Sequence, residues 1–266
     1  MISVAIKGLS LLQFNNLSGY PELIHFSTIR SGGQSTANYG SLNLGLNSGD
    51  AHENVTANRN TLSKALDIST YRLIFPKQTH TSTVKMITGE FFNDGENEQK
   101  QYLNETDALV TNLRGVCISV KTADCVPVLL YDPHKKVVAA IHAGWRGTAQ
   151  EIVLKTIRKL AEEFGTDPAD LVGAIGPSIS TQVYEVGADV HDQFDPEFHC
   201  DTNPVIPGKR LLDLWKANQS QLIGGGLRSE KIEIAELCTW SDSSRFFSAR
   251  RDGARTGRMA TGIMLL

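Results

Sequence analysis

The chain predicts an α+β fold, α/β-like in its alternation: one compact domain over residues 1–266, with mixed β-sheets flanked by helices. Three observations predict it. Short β-branched apolar runs recur along the whole length and alternate with segments of helical period. No shift in composition, internal repeat or low-complexity tract marks a boundary. A chain of 266 residues can also bury most of the surface its unfolded form exposes, so no disulfide or metal is needed merely to hold it together.

Composition excludes several classes of function. The net charge of −3 and the scattered basic residues lack the electrostatic footprint of a duplex-binding or membrane-surface protein, so neither nucleic acid nor membrane is expected as a partner. The first fourteen residues lack the basic start and small-residue cleavage site of a signal peptide, and no apolar run approaches the roughly 20 residues of a membrane helix. A cytoplasmic protein is expected. Cys117, Cys125, Cys200 and Cys238 are irregularly spaced with no CxxC pair, which in a reducing compartment argues for free thiols or ligands.

Taken in order, residues 1–30 read as irregular strands with an apolar patch at Leu23, Ile24, Phe26 and Ile29. The loop from Arg30 to Gly45 is rich in Gly, Ser and Asn; it has no helical period and by itself reads as a solvated connection. Asp50 and Glu53 have the spacing of a capping box before a helix to about Leu66, with Val55, Leu62 and Leu66 on one face. Arg59 on that helix, taken alone, is a surface charge. A short strand at 73–75 leads into Pro76-Lys77-Gln78-Thr79-His80, and 84–87 continues extended. Residues 89–105 are acidic and turn-rich, an exposed excursion.

The stretch 106–148 organises the rest. Apolar runs at 116–120, 126–131 and 136–141 read as strands, and Cys125 and His142 stand at their ends. Thr148 and Glu151 form another capping-box pattern, opening a helix to about Phe164 with Ala149, Ile152, Val153, Ile157, Leu160 and Phe164 on its buried face. Between strand and helix lies Ala143-Gly144-Trp145-Arg146-Gly147, either a plain tight turn or a helix N-terminus that favours an anion such as phosphate beside Arg146. A strand at 170–175, a helix at 187–194, a polar loop, a helix at 211–223 with Trp215 in the core and a strand at 232–237 follow. The tail reads as an aromatic strand around Phe246 and Phe247, a loop with four arginines from Arg250 to Arg258, and a closing strand at 259–266.

His80, Cys125 and His142 are the reactive residues. If they converge, one thiolate and two imidazoles leave a fourth position open on a tetrahedral zinc, for a water of lowered pKa. Two histidines and a cysteine also suit copper, although multicopper chemistry needs many histidines and this chain has seven with no His-x-His pair. A Cys125 nucleophile activated by either histidine, or an inert buried Cys125, fits the spacing equally.

At these residues the chain resembles a known family. Lys77-Gln78-Thr79-His80, the TDALVT run from Thr106, the KTADCVPVLLYD run from Lys121, the AIHAGWRGT run ending at Thr148, AIGPSI with YEVG, and RFFSARRDG with TGR, in that order, resemble the laccase-domain (YfiH-type) family from about Phe26 to the C-terminus. That family was first labelled polyphenol or multicopper oxidase and later described as purine nucleoside phosphorylase and adenosine deaminase.

The resemblance implies one zinc ion held by His80, Cys125 and His142, which would also be the catalytic residues, with copper less consistent. It implies phosphorolysis of adenosine, inosine, guanosine or methylthioadenosine, and deamination of adenosine, with a purine nucleoside and phosphate as partners. Arg59 of the family's Asn-Arg pair, Arg146, Thr148 and Asn43 are the implied substrate contacts. Asn47 stands where the family usually has His. An alternative within the family is a peptidoglycan-editing amidase acting on a mis-built UDP-MurNAc-amino acid, and copper polyphenol oxidation fits least. Cys117, Cys200, Cys238 and His25, His52, His134, His191 and His199 are expected to be structural or surface residues. Oligomeric state is left open.

Overall fold

The computed structural model describes residues 1–200 and 209–266. Its strands are β1 (Ile2–Ile6), β2 (Leu9–Gln13), β3 (Leu23–Thr28), β4 (Leu73–Ile74), β5 (Val84–Met86), β6 (Ala108–Thr111), β7 (Cys117–Thr122), β8 (Val126–Asp132), β9 (Val137–Ala143), β10 (Val172–Ile175), β11 (Ile232–Ile234) and β12 (Met259–Leu265). They build two six-stranded sheets in the orders β1-β2-β3-β12-β7-β4 and β11-β10-β8-β9-β6-β5. Both are mixed: β4 with β7, β5 with β6 and β10 with β11 are parallel, and the other pairs antiparallel. The α+β expectation with mixed sheets and flanking helices therefore holds.

The layers follow from the period-2 alternation of β8 and β9, in which every residue is buried. Leu129, Tyr131, Val138 and Ala140 face the other sheet and meet Val116, Ile118, Val120 and Ile263 there. The alternate set, Val126, Val128, Leu130, Ala139 and Ile141, faces helices α5 (Ile152–Phe164) and α7 (Leu214–Gly224). The outer face of the first sheet carries Leu11, Phe26, Cys117 and Ala260 and is covered by Leu42, Leu44 and Leu62, the last on α2 (His52–Ala65). Each large apolar side chain so enclosed contributes roughly 1.5–3 kcal/mol relative to exposure.

Several local expectations are corrected. Neither capping box forms. Asp50 instead accepts from Ser35 and Asn43 of the preceding loop, so its carboxylate ties down that loop, and α2 begins without a side-chain cap. Thr148 lies inside a separate five-residue helix, α4 (Trp145–Ala149), and the chain breaks at Glu151, in left-handed conformation, before α5. The excursion at 89–105 holds a helix, α3 (Glu96–Tyr102). Phe246 and Phe247 are fully buried in an irregular segment rather than a strand, and the helix expected at 187–194 shortens to Ala188–His191. The polar loop that follows runs partly through 201–208, outside the described residues.

His25 on β3, paired with Ile263 of β12, is buried against Phe14, whose amide donates to its Nε2 at 3.0 Å while Nδ1 has no partner. Burial outweighs the Phe14 contact and the Glu233 charge and brings its pKa down to about 4. Because the unfolded histidine takes a proton near 6.5, the unfolded state binds more protons below that pH. Stability should be full above about pH 6.5 and fall by about 3 kcal/mol as pH drops through the folded value near 4. Urea unfolding across this window should display the loss, and His25→Gln should flatten it.

Candidate metal centre

The two sheets exchange chain at one end of the sandwich, and the reactive side chains stand on those crossings. Residues 123–125 carry the chain from β7 in the first sheet to β8 in the second, and 75–83 carry it from β4 to β5 in the same sense. His80 lies on the second crossing and Cys125 on the first. His142, near the end of β9, pairs with Pro127 of β8 and so stands beside Cys125. The donor atoms of His80, Cys125 and His142 all lie within 4.8 Å of one another, the only such group of three among the described residues. Cys125 Sγ is 3.8 Å from His80 Nε2, and the two imidazoles meet edge-on with centroids 5.0 Å apart.

Asp107, immediately before β6, holds this arrangement and was not singled out by the sequence reading. Its Oδ1 accepts from His142 Nδ1 at 2.6 Å and from the His80 amide at 3.1 Å. Oδ2 accepts from the amides of Thr79 and Thr81 and from the Thr81 hydroxyl, and the Asp107 carbonyl accepts from the His142 amide. His80 adopts a φ of +63°, a left-handed conformation that non-glycine residues seldom take, and the three converging amides stabilise it. Burial opposes the Asp107 carboxylate, but His142 and Thr81 outweigh it and hold its pKa at about 2. With Nδ1 committed to a carboxylate, His142 presents Nε2 to the cluster. The available signal was a lone aspartate directly before the apolar run Ala108-Leu109-Val110, a position that burial makes costly unless several donors meet it.

Two glycines permit the close approach. A Cβ on Gly144 would come 2.9 Å from His80 and 3.1 Å from Cys125 Sγ, and one on Gly147 would come 3.1 Å from the Thr81 carbonyl. Burial disfavours the Cys125 thiolate, yet the positive His142 and hydrogen bonds from both histidines bring its pKa down to about 6. Burial likewise disfavours protonated His142, but Cys125 and Asp107 outweigh it and raise it to about 9. Cys125 and His142 thus each favour the other's charged form, and a bound metal ion would take the place of the proton. An N₂S donor set, a ligand histidine braced by a buried carboxylate and a glycine leaving room beside the donors all fit a bound metal.

A cavity of about 270 Å³ opens at Cys125, with Trp145, Ile179, Tyr184, Leu214 and Arg250 in its wall. Arg250 lies 5.1 Å over the Tyr184 ring and donates to the Glu185 carbonyl. The buried Asp124 carboxylate binds the wall together, accepting from the Thr239 hydroxyl (2.6 Å), the Ser248 hydroxyl (2.9 Å) and the Arg250 amide (2.7 Å). Tyr184 lies in the YEVG run, and Ser248 and Arg250 lie in the SARRDG run, yet nothing in their spacing indicated a shared wall.

The four implied substrate contacts fare differently. Arg146 is exposed and stacks 4.3 Å over Trp145 at the cavity. Arg59 donates from Nε and Nη2 to the Leu44 carbonyl and lies 4.5 Å over Phe75. Asn43 is buried within its own loop, bonded to Gly45, Ser48, Asp50 and the Arg258 amide, and so acts as a brace. Thr148 is buried against Asn218 inside α4, whose N-cap, Gly144, comes four residues before the one the capping pattern predicts. Asn47 is exposed on the loop after Leu44.

Comparison with known proteins agrees with this geometry. A family model described as multi-copper polyphenol oxidoreductase laccase matches residues 24–266. A purine nucleoside phosphorylase of Bacteroides thetaiotaomicron is 39% identical, covering 100% of this chain and 99% of that protein. An adenosine deaminase, RL5, from an unknown prokaryotic organism is 36% identical, covering 90% and 92%. Among solved structures, the hypothetical protein YfiH of Bacillus licheniformis superposes with a TM-score of 0.86 at 30% identity, over 97% of this chain and 96% of that one. With a match across nearly its whole length to enzymes of this kind, the chain belongs to the laccase-like, YfiH-type family of enzymes.

Proposed function

We propose that the protein is a zinc-dependent purine nucleoside phosphorylase that also deaminates adenosine. One observation carries the reading: two imidazoles converge on Cys125, whose side chain lines a small cavity with Trp145 and Tyr184. The names of the relatives supply the reaction class, and the cavity supplies a matching shape. Its volume is at the lower end for small-molecule sites, and two aromatic side chains offer a purine the π-surfaces on which bases stack. Zinc is favoured over copper because one three-donor set suits a single catalytic zinc, whereas multicopper oxidation requires several centres.

When bound, zinc supplies a Lewis-acid centre with one open coordination position. The protein's own residues do the rest. Asp107 fixes the His142 ring and the 79–81 turn, so the donors are aligned before substrate arrives. Trp145 and Tyr184 orient the base, and Asp124 fixes the Arg250 wall of the cavity. In phosphorolysis the bond from the anomeric carbon to the base breaks and one to a phosphate oxygen forms. Deamination, replacement of the purine amine by water, is assigned to the same cavity. The cytoplasm, where nucleosides and phosphate are both plentiful, is the proposed location.

Elemental analysis of the purified protein should find about one zinc per chain, lost in Cys125→Ala together with phosphate-dependent release of adenine from adenosine. Metal without nucleoside turnover, but with hydrolysis of UDP-MurNAc-L-serine, would replace this reading with the amidase one; activity without metal would point to Cys125 thiol chemistry. Asp107→Asn should weaken zinc binding about 10- to 100-fold in chelator competition. Tyr184→Ala should raise the KM for adenosine about tenfold or more, the expected loss of one base–aromatic stack, with zinc content unchanged.

A further inference from the structure

We propose that Arg59, Lys121 and Arg258 form a subsite for free inorganic phosphate near the metal-donor cluster; the inference rests on the phosphorolysis reading above and names where its second substrate binds. The three cations come from separate segments, α2, β7 and the start of β12, and converge on shared supports. Arg59 and Lys121 lie 4.5 and 5.2 Å from the centroid of the same Phe75 ring. Arg59 holds the Leu44 carbonyl, while the Leu44 amide donates to the Arg258 carbonyl and Gly45 lies against the Arg258 side chain, where a Cβ would come 2.7 Å from Cγ. Lys121 is tied to the His80 turn by Gln78, whose carboxamide bonds both backbone groups of Lys121. Gln78 stands two residues before His80 in the same turn, which sets the Lys121 end of the trio beside the cluster.

Among the described residues none of the three forms an ion pair with a carboxylate. Their side-chain hydrogen bonds all go to main-chain carbonyls: Leu44 for Arg59, Pro76 for Lys121, and Ala254, Thr256 and Gly257 for Arg258. Carbonyls satisfy donors but do not neutralise charge, and clustered cations removed from water repel one another at a cost. Burial first, and then the charges of Arg59 and Arg258, hold Lys121 well below the usual lysine range. A dianion among the three turns that repulsion into attraction, and Arg59 Nη1, Arg258 Nε and the rest of the Lys121 ammonium remain as donors for its oxygens. The start of α4, where the sequence pattern had placed an anion, is a five-residue helix and offers no comparable cluster.

The test is calorimetric titration of the zinc-loaded full chain with inorganic phosphate, beside Lys121→Gln, Arg258→Gln and Lys121→Arg, with zinc content and melting as checks of folding. Each Gln variant should bind phosphate about tenfold or more weakly, and Lys121→Arg should stay within about threefold of the parent. The KM for phosphate should move in parallel, while the KM for adenosine at saturating phosphate shifts less than about threefold. If the variants lose phosphate binding yet turnover needs no phosphate, the subsite stands and phosphorolysis falls. If phosphorolysis proceeds but phosphate affinity is unchanged in both Gln variants, or the parent binds no phosphate, the subsite is overturned. Should Lys121→Gln fail to fold, Arg258→Gln alone decides. A parallel titration with adenosine monophosphate separates the sources: tighter binding than phosphate, lost in the same variants, would overturn the free-phosphate assignment in favour of a nucleotide.

Discussion

The buried carboxylate of Asp107 is the constraint on which the rest of the site depends. An ionised aspartate removed from water is stable only if donors surround it, and here the donors are the groups that must be positioned: the His142 ring, the His80 amide and the two amides beside it. One desolvated charge thereby sets the tautomer of one histidine, the unusual backbone of another and the distance between them. The same carboxylate leaves His142 no freedom to rotate its free nitrogen away from Cys125. Metal affinity in such a site comes from alignment before binding as much as from the donor types.

That constraint acts where the two sheets exchange chain. The interiors of β8 and β9 are apolar because both their faces are covered, and the reactive side chains of the cluster stand at strand ends and on the crossings between sheets. The crossings at 75–83 and 123–125 meet at one end, and Gly144 and Gly147 let α4 close over them. Asp124 performs for the cavity wall the task Asp107 performs for the donors. Two buried carboxylates, one before and one after β7, divide the work: one aligns the chemistry and the other shapes the pocket.

Beside them the cations play the opposite part. Arg59, Lys121 and Arg258 are held by aromatic and carbonyl contacts, with no ion pair to a carboxylate among the described residues. Carboxylates met by many donors on one side and cations met only by carbonyls on the other make an uneven potential, which suits a reaction joining a neutral nucleoside to an anionic nucleophile.

By itself the sequence determined the class of fold, most strand positions in the second sheet and which three reactive side chains the fold brings together. Those are properties of local pattern: β-branched runs of the right length, and Cys and His at strand ends where an apolar strand interior would not hold them. It did not determine which aspartate mattered, because Asp107 and Asp50 look alike as isolated polar residues and differ only in what the folded chain brings to them. The capping boxes failed for the same reason: Asp50 and Thr148 found tertiary partners in Ser35, Asn43 and Asn218 that compete with the local bond. The cavity, assembled from residues 123 to 250, and the cation cluster, from 59 to 258, could be decided only by tertiary structure, since contact between segments so far apart in sequence leaves no trace in spacing.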